Sequence, residues 1–415
     1  MPTTPTRPTR TRTRPTPTQT RQTPASSLEQ AIDPVSGEEF LSEHWERKPL
    51  VVTRDEEGRF DYLLSVADVE RLLCSGGLRT PGFRLVKAGE RIDVGSYTKS
   101  ISWRPTPFSG TAEVGRVLSE FEAGATLVLQ GLHLTWTPLA EFCRLLEREL
   151  GHPAQANAYF TPRAAQGLPV HHDTHDVFSL QVAGEKRWLV YPPALELPLK
   201  DQNYREELGE PGEPVHDVRL RAGDTLYLPR GWLHEATTSD TDSLHITVGV
   251  NVYTWLDAFK AALGECAEDV EFRRTPEGDA DDLVERLRER LSADAVARRR
   301  CRRLVKTRRP ILTGQLTQLR ALGGLTLETP LERRPTVLFD VDDRALVFEE
   351  KEIRFPASAM EPLRFAATVE EPFRAAELPG SLDDESRLVL VRRLVREGFL
   401  QLSEAAPGSG ADAEE

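Results

Sequence analysis

A histidine and an aspartate two positions apart, His171 and Asp173, lie in a run of residues that leans towards extended backbone. Strand side chains alternate with period two, so both project from one face and can share one metal ion. A second imidazole, His234, ends the run Pro229-Arg-Gly-Trp-Leu-His234, where a later strand would bring it alongside. Two imidazoles and one carboxylate on one side of a metal leave positions open for substrate and oxygen, the arrangement used for O2 chemistry at non-haem Fe(II). Such iron draws electrons from a 2-oxo acid, and the pocket then needs a fixed cation for that acid's distal carboxylate. Lys186, in phase with Trp188 and Val190 on the following β run, offers the cation. Thr247 can add a hydroxyl from the last strand of the region.

Competing readings attach to the other histidines. Alternation sends His172 to the opposite face from His171, which makes it a packing or surface residue. His175 shares the parity of His171 and Asp173 and stays a candidate on parity alone. His245 falls on the polar side of its strand, where a cavity role and a buried, hydrogen-bonded role are equally open. His133 and His152 lie outside the strand pair and read as structural. A lone His-x-Asp is common by chance; the weight comes from His234, Lys186 and the strand context together.

These side chains need a scaffold of strands. From Gln155 to Tyr253 short β runs alternate with turn signals, as in an antiparallel sandwich or jelly roll. Ala183-Gly184-Glu185 reads as a hairpin turn, Ala222-Gly223-Asp224 opens the run Thr225–Leu228, and Pro229-Arg-Gly231 reverses the chain. From Ser243 to Tyr253 alternation is clean: Leu244, Ile246, Val248, Val250 and Val252 face one way, and His245, Thr247, Gly249 and Asn251 the other. Upstream, Phe40 to Val52 reads as a short helix stopped before Pro49 and then a strand, and helices are predicted over 66–73, 113–122 and 139–150. Downstream come helices over 254–266, 281–291 and 293–305. A mixed region follows, with helices at 312–322, 362–367 and 385–397 and β runs at 336–339, 345–348 and 399–402. Helices followed by a small β wing suggest a winged-helix module, in which an excess of acids disfavours duplex DNA as a ligand.

With 415 residues the chain exceeds what one hydrophobic core supports, so at least two domains are expected. A content of 39% hydrophobic and 29% charged residues marks a globular chain, and no apolar run approaches a bilayer span. The net charge of -13 excludes general attraction to nucleic acid, so any contact with RNA must be local. Two segments could make one. Residues 1–26 are rich in Thr, Pro and Arg, read as a disordered arm, and contain no apolar stretch of the kind a secretory signal needs. Arg298, Arg299, Arg300, Arg302, Arg303, Lys306, Arg308 and Arg309 form a basic block, with a solvated, ion-paired helix face as the alternative. Residues 404–415 read as a disordered acidic tail. Cys74, Cys143, Cys266 and Cys301 are widely spaced, which fits reduced thiols in a cytoplasmic protein.

The runs Asn157-Ala-Tyr159-Phe-Thr161-Pro, Gly167-Leu-Pro-Val-His171-His-Asp173, Gly184-Glu-Lys186-Arg-Trp188 and Gly223-Asp224 through His234 together resemble the cupin-type JmjC ribosomal oxygenases, which are Fe(II)- and 2-oxoglutarate-dependent hydroxylases of ribosomal-protein side chains. The resemblance implies an α+β chain with a double-stranded β-helix core over residues 27–253, a helical dimerisation region over 254–309 and a winged-helix-like domain over 310–403. It implies iron held by His171, Asp173 and His234, 2-oxoglutarate held by Lys186 with Thr247, and Asn157 and Tyr159 lining the pocket. It further implies a ribosomal protein as substrate, a His or Arg as the modified residue, and a homodimer. Bacterial arginine hydroxylases of this family have Arg where this chain has Lys186, and eukaryotic histidine hydroxylases have Lys. Two other functions are consistent with the residues: a non-catalytic cupin scaffold that binds the ribosome or RNA, and a cupin metalloenzyme acting on a small molecule.

Overall fold

The computed structural model describes residues 26–403 except 76, 103, 167, 206–208 and 210. The expected disordered tail, 404–415, and all but the last residue of the expected arm, 1–26, lie outside the described residues. Ser26 is described, and its hydroxyl caps the first helix by accepting from the amide of Glu29.

In chain order, α1 (Ser27–Ile32), α2 (Gly37–Glu39) and a π-helical turn (Phe40–His44) lead to β1 (Leu50–Val52). Then come α3 (Val66–Cys74), β2 (Phe83–Lys87), β3 (Glu90–Arg91), α4 (Val94–Tyr97), β4 (Thr98–Ile101), β5 (Phe108–Ala112) and α5 (Val114–Glu122). β6 (Thr126–Leu129), α6 (Leu132–Thr135) and α7 (Thr137–Leu150) precede the central strands. These are β7 (Ala154–Thr161), β8 (Asp176–Ala183), β9 (Glu185–Tyr191), β10 (His216–Arg221), β11 (Thr225–Leu228), β12 (Leu233–Thr237) and β13 (Ser243–Val250).

Two antiparallel sheets face each other. The larger has the order β1-β11-β8-β13-β7-β6-β2-β3, and the smaller β10-β9-β12. The alternation read on β13 is realised. Leu244, Ile246, Val248 and Val250 join Phe178, Leu180 and the α7 residues Leu139, Phe142 and Leu146 in the main core on the helical side. The opposite face of the large sheet looks into the sandwich, where Trp188, Val190 and Leu220 of the small sheet meet Leu226 and Leu228. That interior is unusually polar: Thr161, Ser179, Gln181, Lys186 and His245 are all buried there.

Two expectations about the strands fail. Gly184 does not turn a hairpin, because β8 pairs with β11 and β13 while β9 pairs with β10 and β12. The chain crosses there from one sheet to the other, and it does so again between β10 and β11. Two β runs flanking a glycine look alike in sequence whether the second run folds back on the first or passes to the facing sheet. In the second failure, His171 and Asp173 precede β8, which begins at Asp176, so they do not belong to a regular strand. His171 forms an isolated bridge to His234, donating to its carbonyl at 3.1 Å and accepting from its amide at 2.8 Å.

Beyond the sandwich lie α8 (Trp255–Cys266), α9 (Asp281–Arg290), α10 (Ala293–Lys306) and α11 (Gln315–Ala321), the last shorter than the predicted 312–322. The C-terminal region contains β14 (Pro330–Arg333), β15 (Phe339–Val341), β16 (Ala345–Phe348), β17 (Lys351–Arg354), α12 (Ala357–Thr368), β18 (Phe373–Arg374), α13 (Asp384–Glu397) and β19 (Leu400–Leu402). The run predicted at 336–339 is displaced, its strand starting at Phe339. This region has a core of its own around Leu331, Phe348, Leu363, Val391 and Phe399. No helix among the described residues is long and apolar enough to cross a membrane.

A buried charge network ties α7 to the C-terminal region. Arg144 donates to Glu147 at 3.1 Å, to Glu349 at 2.5 Å and to the carbonyls of Thr336 and Arg309 at 3.0 and 2.7 Å. Arg334 donates to the second oxygen of Glu349, and Arg308 to Glu147 at 2.7 Å. Burial raises the Glu349 carboxyl above its ordinary value, and the two guanidinium groups oppose the shift. Removing one partner strands a buried charge. Arg144→Ala is therefore expected to destabilise the fold by about 3–5 kcal/mol, read from the urea midpoint at pH 7. A loss of a few tenths of a kcal/mol would show that water replaces the guanidinium.

Candidate metal centre

His171, Asp173 and His234 bring one ligand atom each to within 4.8 Å of one another. Nε2 of His234 lies 3.8 Å from Oδ2 of Asp173, and the two imidazole rings are 4.4 Å apart between centroids. The backbone explains how the cluster forms without a strand. The His171–His234 bridge clamps the two segments, and the amide of Gly231 donates to the carbonyl of Asp173 at 3.0 Å. Gly231 has φ of 92°, and a Cβ there would collide with the carbonyl of Leu195, so this position requires glycine.

Each imidazole is held through its far nitrogen. Nδ1 of His171 lies 2.8 Å from the carbonyl of Pro169, and Nδ1 of His234 lies 3.0 Å from that of Trp232. A carbonyl can only accept, so Nδ1 carries the proton and Nε2 keeps its lone pair for a metal. Both carbonyls belong to the residue two before the histidine, a local loop geometry. Burial, followed by the neighbouring His171, lowers His234 to about 4, which keeps it neutral and ligand-competent near pH 7. At Asp173 burial favours protonation, but His175, His234 and His171 outweigh it and hold the carboxyl below its ordinary value. The donor set of two imidazole nitrogens and one carboxylate on one side fits a ferrous ion with open positions.

Lys186 sits in the sandwich interior, 4% exposed. Its ammonium donates to the Thr161 hydroxyl at 3.1 Å and makes no ion pair among the described residues. Burial alone lowers it to about 7. Close by, His245 stacks on Tyr159 at 5.1 Å and meets the edge of Trp188 at 5.5 Å, while Trp188 lies 6.0 Å from His234. Burial, and then the charge of Lys186, drives His245 well below its ordinary value, so its ring is neutral. His245 Nδ1 and Trp188 Nε1 are buried without hydrogen-bond partners. Thr247 shares this face, paired across the sheet with Asn157 and Ser179. Asn157 accepts from the amide of Gly131 at 2.9 Å, so it also fixes the start of α6.

The remaining histidines are engaged elsewhere. His172 is buried with Nε2 3.0 Å from the Gln202 carbonyl. His175 is not part of the cluster: its ring packs over Gly249, 3.4 Å from the Gln155 amide nitrogen. His133 and His152 accept from the amides of Ala156 and Tyr253. Sequence reasoning missed Thr161 as the partner of Lys186, although its parity on β7 matches Asn157 and Tyr159. It also missed the group behind the metal loop, where Asp176 accepts from Tyr227 at 2.6 Å and from Arg230 at 3.2 Å, and Arg230 pairs with Glu46.

Residues 132–258 match the JmjC domain, a span that contains every residue of this site. The chain is 35% identical to chicken ribosomal oxygenase 1 over 252 residues, 59% of this chain and 40% of that protein. It is 34% identical to rat ribosomal oxygenase 2 over 234 residues, 54% of this chain and 47% of that protein. The chain contains a JmjC domain and is similar over that region to the ribosomal oxygenases. It spans less than half the length of these relatives. A Drosophila persimilis protein described as a bifunctional lysine-specific demethylase and histidyl-hydroxylase is 33% identical over 223 residues, 54% of this chain and 31% of that protein. Among solved structures, the Escherichia coli ribosomal oxygenase YcfD in complex with cobalt and 2-oxoglutarate aligns with a TM-score of 0.53 at 17% identity. That alignment covers 88% of this JmjC chain and 98% of YcfD, a likeness of fold.

Proposed function

We propose that the chain is an Fe(II)- and 2-oxoglutarate-dependent dioxygenase that hydroxylates a His or Arg side chain of a ribosomal protein. The observation that carries this reading is a buried, acid-free ammonium at Lys186 inside the same sandwich as a one-sided His171, Asp173, His234 donor set. Bound iron supplies the activation of O2, with 2-oxoglutarate oxidised to succinate and CO2 and one oxygen atom entering a C–H bond of the substrate. In this assignment Asp173 and the two Nε2 atoms hold the ion, the Pro169 and Trp232 carbonyls keep both rings aimed, and Lys186 takes the distal carboxylate of the cosubstrate. Thr247, Asn157 and Tyr159 line the cosubstrate pocket, and the apolar body of Trp188 limits water beside His234.

The reading extends to the rest of the chain. Residues 254–309 serve as a dimerisation region, supported by the exposed apolar side chains Trp255, Phe259, Leu263 and Val284 on α8 and α9. Residues 310–403 form a winged-helix-like domain. The four cysteines are free, in keeping with work in the cytoplasm. RNA contact through the basic block is the weaker part: Arg299, Arg302, Arg303, Lys306 and Arg308 are paired with Glu265, Asp342, Asp257, Glu352 and Glu147.

The test is mass spectrometry of ribosomal proteins from a strain lacking the gene, before and after treatment with purified chain, ferrous iron and 2-oxoglutarate. One histidine or arginine peptide should gain a single oxygen, with stoichiometric succinate. Succinate release without any modified ribosomal peptide would redirect the search to a small-molecule substrate, and no 2-oxoglutarate consumption at all would leave a scaffold.

A further inference from the structure

A recess of about 610 Å³ lies on the far side of the metal-holding loop, between the loop around Lys200, the end of β13 and helices α8 and α10. Its volume is that of a site for a small ligand rather than a surface irregularity. Thr174 and His175, directly after Asp173, form part of its wall, whereas the metal-holding residues themselves do not. The site is therefore separate from the sandwich interior.

Cations converge on the recess from separate parts of the chain: Lys200 from the loop, Lys260 from α8, and Arg300 and Arg303 from α10. Lys200, Lys260 and Arg300 make no ion pair among the described residues. Arg303 has only a 3.8 Å contact with Asp257 and lies over the Tyr253 ring at 5.2 Å. Of the wall's two acids, Asp257 is already engaged, its carboxylate accepting from the amide and hydroxyl of Thr254 at 3.0 and 2.8 Å. Two polar wall atoms, the Tyr253 hydroxyl and Arg308 Nε, are buried without hydrogen-bond partners. Like charges gathered from three segments into one concavity repel each other, and on a chain of net charge -13 no general field explains them. A solvated helix face would spread its cations along one element.

We propose that this recess binds a small multivalent anion, of the class of oligophosphates and phosphate esters. A cationic peptide is excluded by the sign of the wall. A long polyanion is disfavoured because the charges surround a recess and do not line a track. The proposal is independent of the oxygenase reading.

The test is calorimetric titration of the full chain, dialysed free of metal so that capture of an ion by phosphate adds no heat, with inorganic tripolyphosphate and with a short single-stranded RNA. Three proteins are compared: the unaltered chain, K200Q/K260Q, and R298Q, which removes an exposed charge of α10 outside the recess. Lys200 and Lys260 are exposed, so the double variant should melt at the unaltered temperature. One saturable tripolyphosphate site, weakened at least tenfold in K200Q/K260Q and unchanged in R298Q, is the expected result. Absence of saturable binding, equal weakening by R298Q, or binding of RNA alone would overturn the proposal. Should K200Q/K260Q melt early, K260Q alone is read by the same criterion.

Discussion

Asp173→Ala should yield a folded protein that neither retains ferrous iron nor consumes 2-oxoglutarate. The carboxylate is the sole anionic donor of the cluster, and without it two imidazoles whose ring centroids lie 4.4 Å apart must hold a dication alone. Loss of a supporting residue around a metal ligand costs roughly 10–100-fold in affinity, and loss of the ligand itself should exceed that. Turnover should fall to background. The readouts are bound metal by elemental analysis and succinate by mass spectrometry, with the circular dichroism spectrum as the check on folding. Retention of a full equivalent of iron with normal succinate release would remove Asp173 from the metal site. The same mutation should slightly lower the affinity of His234 for protons, because a carboxylate that favours the imidazolium is gone from beside a group whose charged form burial already disfavours.

Lys186→Ala should raise the half-saturating concentration of 2-oxoglutarate by about 10- to 100-fold, the worth of a buried charge-assisted hydrogen bond. Iron content should be unchanged, since Lys186 does not touch the cluster. The ammonium also sets a pH dependence. Its value in the free protein is about 7, against 10.5 for an exposed lysine. Only the protonated form attracts a carboxylate, so cosubstrate affinity should decline as pH rises above 7, and the carboxylate, once bound, should shift the group back up. The effect on stability has the opposite sense. Burying the charge costs the fold most below pH 7, where Lys186 is protonated folded or unfolded, and the cost fades between 7 and 10.5 as the folded form releases its proton first. Lys186→Met should therefore melt higher than the unaltered protein at pH 6 while losing cosubstrate saturation. A variant that melts lower and saturates normally would make Lys186 a structural residue.

Why the centre was legible in the sequence, and where legibility stopped, has a local explanation. His171 and Asp173 were placed together by strand periodicity, yet the strand begins only at Asp176. The spacing succeeded because a bridge to His234 extends the backbone at His171, so the two side chains still converge. His172 turns away, as parity required, though a carbonyl of the 198–202 loop rather than a sheet face receives it. Lys186, Trp188 and Thr247 could be read because β9 and β13 are regular strands. The hairpin at Gly184 could not, since pairing partners are a long-range property that a two-residue turn signal does not contain. The Asp176, Arg230, Glu46 and Tyr227 group was invisible for the same reason: its members are up to 184 positions apart. In the C-terminal region, two- to four-residue strands such as β14, β17 and β18 are too short for periodicity to register.

The Arg144, Glu147, Glu349 and Arg334 network has a consequence for the history and engineering of such chains. Glu349 is matched to Arg144 across the junction and Glu147 to Arg308, so neither half can be exchanged alone without stranding a charge in a water-poor seam. Among relatives the four positions should co-vary, passing from the charged set to an uncharged one in concert. A chimaera that grafts a foreign C-terminal half onto this sandwich should fold only when residues 144 and 147 are replaced along with it.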